Sequence, residues 1–278
     1  MLPELFRIPP FGPFSEPFVL HPYGLLIVLG FICVTLMIGR QAKRFGEADP
    51  EAFVDLAFYF LLMGLLGSRL LFIAVNWRDY AAHPIEIFYV WKGGLVFYGG
   101  FILAFFYGIY WAYRRQISFF KIADYMIPMV AFNHAWGRLG CLSAGCCHGK
   151  TTDSILGIVF PLESGVQALQ QSQGLIGYSS MPLPVHATQI YEALGEVLLF
   201  LLLVLMRSKK RFHGQLVLIW LSLYPILRSV VEIYRGDTER GFVIPDVLST
   251  SQFISIFVAL TAVILLIYLR RQKNYLTK

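Results

Sequence analysis

Seven apolar stretches divide this chain, at residues 19–38, 53–75, 95–113, 120–143, 188–206, 215–233 and 247–269. A helix rises about 1.5 Å per residue and a bilayer's hydrocarbon core is about 30 Å thick, so roughly 20 such residues suffice to cross it. Only helices and closed barrels satisfy their backbone groups in lipid, and stretches of this length select helices. Charged residues make up 14% of the 278, against about 25% in an ordinary soluble domain. That excludes a disordered chain and argues against a soluble enzyme. The expected fold is an all-α polytopic membrane protein with seven transmembrane helices. Residues 1–278 form a single integral membrane domain, with residues 146–187 as an outer-face excursion between spans four and five and not an independent domain.

The net charge of +6 matters less than where the basic residues sit. Arg40, Lys43 and Arg44 follow span one, and Arg114, Arg115 and Lys121 lie between spans three and four. Arg207, Lys209, Lys210 and Arg211 follow span five, and Arg270, Arg271, Lys273 and Lys278 follow span seven. With seven spans these clusters share one side, which the positive-inside rule makes cytoplasmic. The N-terminus is then outside and the C-terminus cytoplasmic. No basic cluster sits in a soluble domain, so nucleic acid is not an expected partner. The first 18 residues are broken by Pro3, Pro9, Pro10, Pro13 and Pro17 and lack the order of a cleavable signal. Interleaved Phe6, Phe11, Phe14 and Phe18 suggest a segment lying on the outer membrane surface. Residues 76–94 form a second, aromatic-rich outer segment.

Charges within spans are costly and point to function. Arg69, Arg138, Arg228 and Glu232 are such charges. Counted from the cytoplasmic start of each span, Arg69, Arg138 and Arg228 lie about 24, 27 and 20 Å in. Arginines from three spans at one level suggest a converging site. Tyr224, Arg228 and Glu232 recur every four residues, so they share a helix face, and Arg235 follows close to it. His134, Arg138 and Cys141 share a face of span four. Glu232 alone cannot neutralise three arginines, so the expectation is a surplus of positive charge that takes an anion. A guanidinium matches phosphate in bidentate geometry, and the anion at that depth is a phospholipid head group.

Of the four cysteines, Cys33 reads as a small apolar filler of span one, while Cys141, Cys146 and Cys147 cluster in a glycine-rich run from Gly137 to Lys150. A soft-metal site that also uses His148, a disulfide from Cys141 to Cys146 or Cys147, and reduced thiols in a tight turn are all open readings. Gly137, Gly140, Gly145 and Gly149 permit close backbone approach. They suit a helix end opening into a ligand-cradling loop.

Six motifs carry a resemblance to a known family: Pro22-Tyr23-Gly24, Gly67-Ser68-Arg69-Leu70, the run Gly93 to Gly100, Gly137-Arg138-Leu139-Gly140, the run His186 to Glu192, and the run Tyr224 to Arg235. In that order across seven spans, they resemble the prolipoprotein diacylglyceryl transferase family along nearly the whole chain. Departures lie at Tyr98, where that family's best-known members have His, at Cys141, where they have Asn, and at Gly145-Cys146, where they continue Gly-Glu.

The resemblance implies an enzyme of the bacterial plasma (inner) membrane, with its site towards the outer leaflet among membrane lipids. It implies transfer of the diacylglyceryl group of phosphatidylglycerol to the lipobox cysteine of a prolipoprotein, with release of glycerol phosphate. Arg138 and Arg228 are then expected to hold the phosphate, supported by Arg69 or Arg235, with Glu232 orienting an arginine. Tyr23, Tyr98 and Tyr224 are expected to hydrogen-bond the head group. Gly99, Gly100, Gly137, Gly140, His186 and Glu192 complete the expected substrate site. His148 is the first choice of base, with His134 and His186 as alternatives, and Tyr98 would serve only with a strongly lowered pKa. The chemistry asks for no cofactor and no metal. Three other readings stay open: a paralogous lipid transferase with another acceptor, a membrane thiol oxidoreductase using Cys141, Cys146 and Cys147, and a lipid-binding or transport protein without chemistry.

Overall fold

A computed structural model of the protein describes residues 6–8, 18–20, 22–45, 47, 49–82, 84–89, 93–236, 241–244 and 247–271. In chain order, strand β1 (Phe6–Ile8) pairs antiparallel with β2 (Phe18–Leu20), and helices α1 (Pro22–Arg44), α2 (Pro50–Val75) and the short α3 (Trp77–Ala82) follow. A 3-10 turn (Pro84–Phe88) leads to α4 (Phe97–Arg115) and α5 (Phe119–Ala144). Strands β3 (Gly157–Ile158) and β4 (Val185–His186) pair antiparallel around α6 (Gly165–Ser172). Then come α7 (Thr188–Arg207), α8 (Gln215–Tyr234), the pair β5 (Phe242–Ile244) and β6 (Leu248–Ser249), and α9 (Thr250–Arg271).

Each apolar stretch is therefore a long helix, with shifted ends. The first begins at Pro22 rather than 19, because Phe18–Leu20 belong to a strand, and it runs on to Arg44. Lys43 and Arg44 in its last turn suit the negative end of the helix dipole. Helix α2 starts at Pro50, whose missing N–H costs nothing there, and Asp49 caps it by accepting from the Ala52 N–H at 3.1 Å. Helix α5 is continuous through Pro128. The surface-lying reading of residues 1–18 falls mostly outside the described residues.

Among the described residues, five helices are long and apolar enough to cross a membrane: α1, α2, α7, α8 and α9. Helix α4 is diluted by tyrosines and glycines, and α5 by Asn133, His134 and Arg138. Apolar side chains such as Leu198, Leu205, Phe257 and Ile264 stand exposed along these helices. Water would penalise that exposure and lipid does not. The chain is an integral membrane protein.

The chain forms two compact units, Thr35–Met126 and the remainder, Met1–Val34 with Ile127–Lys278. In the Thr35–Met126 unit, α2 and α4 cross with almost no space between their backbones. A Cβ on Gly67 or Gly99 would collide with the other's carbonyl oxygen, and one on Gly100 with that of Gly64. Small residues permit such approach in a membrane, where dispersion contacts drive helix association. At the other end, Phe53 packs on Trp111 and Tyr125.

In the larger unit, α8 packs between α7 and α9 around Leu203, Leu216, Ile219 and Ile127. Helices α1 and α5 meet where a Cβ on Gly30 would lie 2.9 Å from the Trp136 Cβ. The 146–187 excursion has its own small core of Phe160, Val166 and Val185, seated on Leu142 of α5. Buried Gln170 stands in for a strand neighbour, accepting from the Leu183 N–H at 2.8 Å and donating to its carbonyl at 3.1 Å.

Candidate active site

Three helices of the larger unit each present polar residues at a four-residue repeat. These are His134 and Arg138 on α5, Glu192 and Glu196 on α7, and Trp220, Tyr224, Arg228 and Glu232 on α8. The fold brings the three rows together. Glu192 is 1% exposed and lies between both arginines: its Oε1 is 2.9 Å from Arg138 Nη2, and its Oε2 is 3.7 Å from Arg228 Nη1. Arg228 Nη2 pairs with Glu232 Oε2 at 2.9 Å along α8. The Tyr224 hydroxyl donates to Glu192 Oε1 at 3.5 Å, and its ring stacks on Trp220 at 4.6 Å.

His134 sits behind Arg138. Its Nδ1 is 2.6 Å from Glu196 Oε1, and Arg138 Nε donates to its Nε2 at 3.3 Å. A guanidinium only donates, so Nε2 accepts and the proton rests on Nδ1, facing the carboxylate. Trp220 Nε1 donates to the second oxygen of Glu196 at 3.3 Å. This imidazole is spent on both sides in fixing Arg138.

The sequence expectation of excess positive charge needs correction. Arg138 and Arg228 are matched by three carboxylates on these helices, Glu192, Glu196 and Glu232, all of them buried. Glu192 and Glu196 also lie within an apolar stretch, and the fold turns them towards α5 and α8. One donor remains unspent: Arg228 Nη1 is buried and has no hydrogen-bond partner among the described residues. A buried unsatisfied guanidinium N–H is costly, and an incoming anionic oxygen would satisfy it.

Tyr23 of α1 closes over the end of α5, where a Cβ on Gly140 would lie 2.7 Å from its ring. Gly137 faces open space, since a Cβ there meets nothing within 4 Å. Beyond Gly140, α5 ends in a Schellman turn: Cys146 N–H donates to Cys141 O at 3.1 Å and Gly145 N–H to Leu142 O at 3.3 Å, with Gly145 at φ 74°. The turn sets Cys146 over Cys141, and Cys147 at φ 59° swings back to join them. The three sulfurs lie within 4.8 Å of one another. The Cys147 thiol is held below the ordinary thiol range by hydrogen bonds from the Cys141 and Cys146 thiols, with the Arg235 and Arg138 charges adding to them.

Other expected residues lie elsewhere. His148 is buried against Phe160 with its Nδ1 3.0 Å from the Gly149 carbonyl, and its ring is outside the sulfur cluster. His186 bonds Tyr191 through Nδ1 at 3.2 Å and packs on Tyr234. The Arg235 backbone bridges to Gly149 and its side chain is buried.

Four expected residues belong to the smaller unit. All five Arg69 N–H groups are donated to backbone carbonyls, those of Glu86, Ile87, Tyr89, Gly93 and Gly94, at 2.6 to 3.4 Å. Arg69 is therefore a clamp on the segment after α3 and has no donor left for a phosphate. Gly99 and Gly100 are consumed in the contact with α2, and Tyr98 is exposed beside Phe97. The sequence reading misses Glu196 and Trp220, and it places His134 on the face of Arg138 and as an alternative base without assigning it to hold that arginine. The four-residue spacing of Glu192 and Glu196 was the available signal.

Comparison with known proteins bears on this arrangement. The family model described as prolipoprotein diacylglyceryl transferase matches residues 12–268. A Clostridium perfringens protein named phosphatidylglycerol–prolipoprotein diacylglyceryl transferase 2 is 31% identical over 246 residues, 88% of this chain and 90% of its own. Proteins named phosphatidylglycerol–prolipoprotein diacylglyceryl transferase from Sodalis glossinidius and Bordetella bronchiseptica are 32% and 33% identical, covering 98% and 86% of this chain and 98% and 87% of their own.

Proposed function

The chain belongs to the prolipoprotein diacylglyceryl transferase family, and on that footing we propose that it moves the diacylglyceryl group of phosphatidylglycerol to the lipobox cysteine of a prolipoprotein, releasing glycerol phosphate. The acceptor sulfur attacks the carbon that carries the phosphate ester, a C–S bond forms, and the C–O bond breaks towards phosphate. The leaving group needs fixed positive charge where its own charge develops. Arg138 and Arg228 supply it, held apart and aimed by Glu192. The observation that carries this reading is the buried Nη1 of Arg228, which has no hydrogen-bond partner among the described residues and lies 3.7 Å from a carboxylate shared with Arg138. Tyr224 and Tyr23 flank the head group, and Gly137 leaves room for it. His134 is a positioning residue for Arg138. His148 is turned towards its own loop, which weighs against it as base.

All seven long helices cross the membrane in this reading. At about 1.5 Å per residue, α4 and α5 are about 28 and 39 Å long, enough to span. The N-terminus lies outside, the C-terminus is cytoplasmic, and the site faces the outer leaflet of the bacterial inner membrane. The test is to mix purified protein, phosphatidylglycerol and a lipobox peptide and to look by mass spectrometry for the diacylglyceryl peptide and glycerol phosphate. Product is expected from the wild type and a loss of at least 10²-fold in Arg138→Ala and Arg228→Ala, the scale of losing an oxyanion donor. Near-normal turnover in both variants would overturn the site assignment.

A further inference from the structure

The sulfur cluster is a second device beside the arginines. Its geometry is set by groups other than the thiols themselves. The Schellman turn stacks Cys146 on Cys141. The Cys147 and Cys146 carbonyls are then pinned to the start of α7, each at 2.7 Å, by the Thr188 hydroxyl and the Gln189 side-chain amide, both residues being 1% exposed. Cys147 is held at φ 59°, a conformation that is strained for a non-glycine residue and persists only when its surroundings dictate it. The backbone of the cradle is thus fixed in advance, and its three sulfurs lie within 4.8 Å of one another. Metal–sulfur bonds of about 2.3 Å place three thiolates about 3.8–4.0 Å apart, so closing on a cation asks for shifts below about 1 Å. Three soft ligands select zinc or another thiophilic cation. Among the described residues no imidazole or carboxylate joins the three. Zinc held by three protein ligands keeps a fourth position open, the arrangement of a catalytic rather than a structural site.

We propose that Cys141, Cys146 and Cys147 bind a zinc-class cation and that its open position takes the acceptor thiol of the lipoprotein precursor as thiolate. The second half rests on the transferase reading. Binding releases the acceptor's proton to solvent, and the metal-bound sulfur then attacks the glycerol carbon. Its C–S bond forms as the C–O bond breaks, and the electron pair leaves on the phosphate oxygen. The site so loaded needs no side-chain base, in a fold where His134 and His148 are both committed elsewhere. Three thiolates and one divalent cation carry a net charge of −1. The Arg138 and Arg235 guanidiniums, within electrostatic reach of Cys147, offset it. This proposal departs from the sequence expectation of metal-free chemistry.

The experiment uses the full chain in detergent, reduced, stripped with chelator and titrated with Zn(II), and with Co(II) as a coloured probe. One equivalent is expected in wild type and in Cys33→Ala, with sulfur-to-cobalt charge-transfer bands. Each of Cys141→Ala, Cys146→Ala and Cys147→Ala is expected to lose at least tenfold in affinity while remaining monodisperse. Three fewer thiols should react with a thiol reagent in the loaded wild type, a count that does not depend on the variants folding. A lipobox peptide with Cys should shift the cobalt spectrum, and its Ser counterpart should not. Absence of stoichiometric binding, or equal binding in all three variants, overturns the metal site. An unshifted spectrum with equal turnover by stripped and loaded protein overturns the acceptor role. Turnover without metal leaves the transferase reading standing, whereas a loaded protein that yields no product in any form removes that reading and leaves the metal site.

Discussion

Arg138 Nη2 and Glu192 Oε1 lie 2.9 Å apart and tie the last turns of α5 to the first turns of α7 across the 146–187 excursion. Glu192 also faces Arg228 Nη1 at 3.7 Å, so one buried carboxylate serves guanidiniums from two helices. Removing it takes a buried carboxylate from both arginines and leaves Arg228 with Glu232. Glu192→Ala is expected to destabilise the protein by about 3–5 kcal/mol, the cost of breaking a buried pair. Glu192→Gln keeps the shape and is expected to fold, with turnover lower by about 10²-fold as the arginines lose their alignment. Thermal unfolding in detergent and the transfer assay check both. An unfolding temperature for Glu192→Ala equal to wild type would show that the pair holds nothing together.

His134 is expected to act through Arg138. His134→Gln should lower kcat about tenfold and leave the shape of the pH–rate profile unchanged, because the ring exchanges no proton with substrate. A general base contributes about 10²–10⁴-fold and imprints its own pKa on that profile. Loss of the acidic limb in His134→Gln would make it the base instead.

Two glycines separate packing from ligand approach. Gly67→Ala drives a methyl group into the Gly99 carbonyl, backbone that cannot step aside, and is expected to cost about 1–3 kcal/mol. Gly137→Ala meets nothing within 4 Å. It is expected to leave the unfolding temperature unchanged or slightly raised while raising KM for phosphatidylglycerol. An unaltered KM would remove Gly137 from the head-group site.

Asp49 gives a pH dependence of known sign. The Arg115 guanidinium at 2.7 Å, helped by the Ala52 N–H, holds its carboxyl below the usual carboxylate range. A depressed folded pKa means that the stabilisation is present above the unfolded value near 3.8 and is lost as pH falls through the folded one. Asp49→Asn keeps the helix cap and discards the charge. Wild type is expected to be slightly the more stable at neutral pH, with the difference vanishing in acid and shrinking in high salt, since the pair is half exposed. Unfolding curves of the two proteins at pH 7 and pH 3 measure it.

The position and length of the long helices were legible in the chain because burying backbone in lipid allows one local solution, and an apolar run of sufficient length declares it. The rows of His134 and Arg138, and of Tyr224, Arg228 and Glu232, were legible for a related reason: a 3.6-residue turn puts every fourth side chain on one face. Those faces hold in the fold. The short hairpins, α3 and α6 were not legible, being too brief to carry a period.

Which face meets which was decided only by tertiary structure. Arg69 and Arg228 look alike in sequence, each an arginine in an apolar run. One spends all five donors on carbonyls of the segment after α3, and the other keeps a buried N–H group without a hydrogen bond. Gly99 and Gly137 look alike too, yet one is filled by a neighbouring backbone and the other faces open space. Glu196 gave no sign of contact with His134, 62 residues away. Sequence determines what each helix offers, because propensity and period are local. The partner that accepts the offer is set by packing between segments far apart in the chain, and no local pattern encodes it.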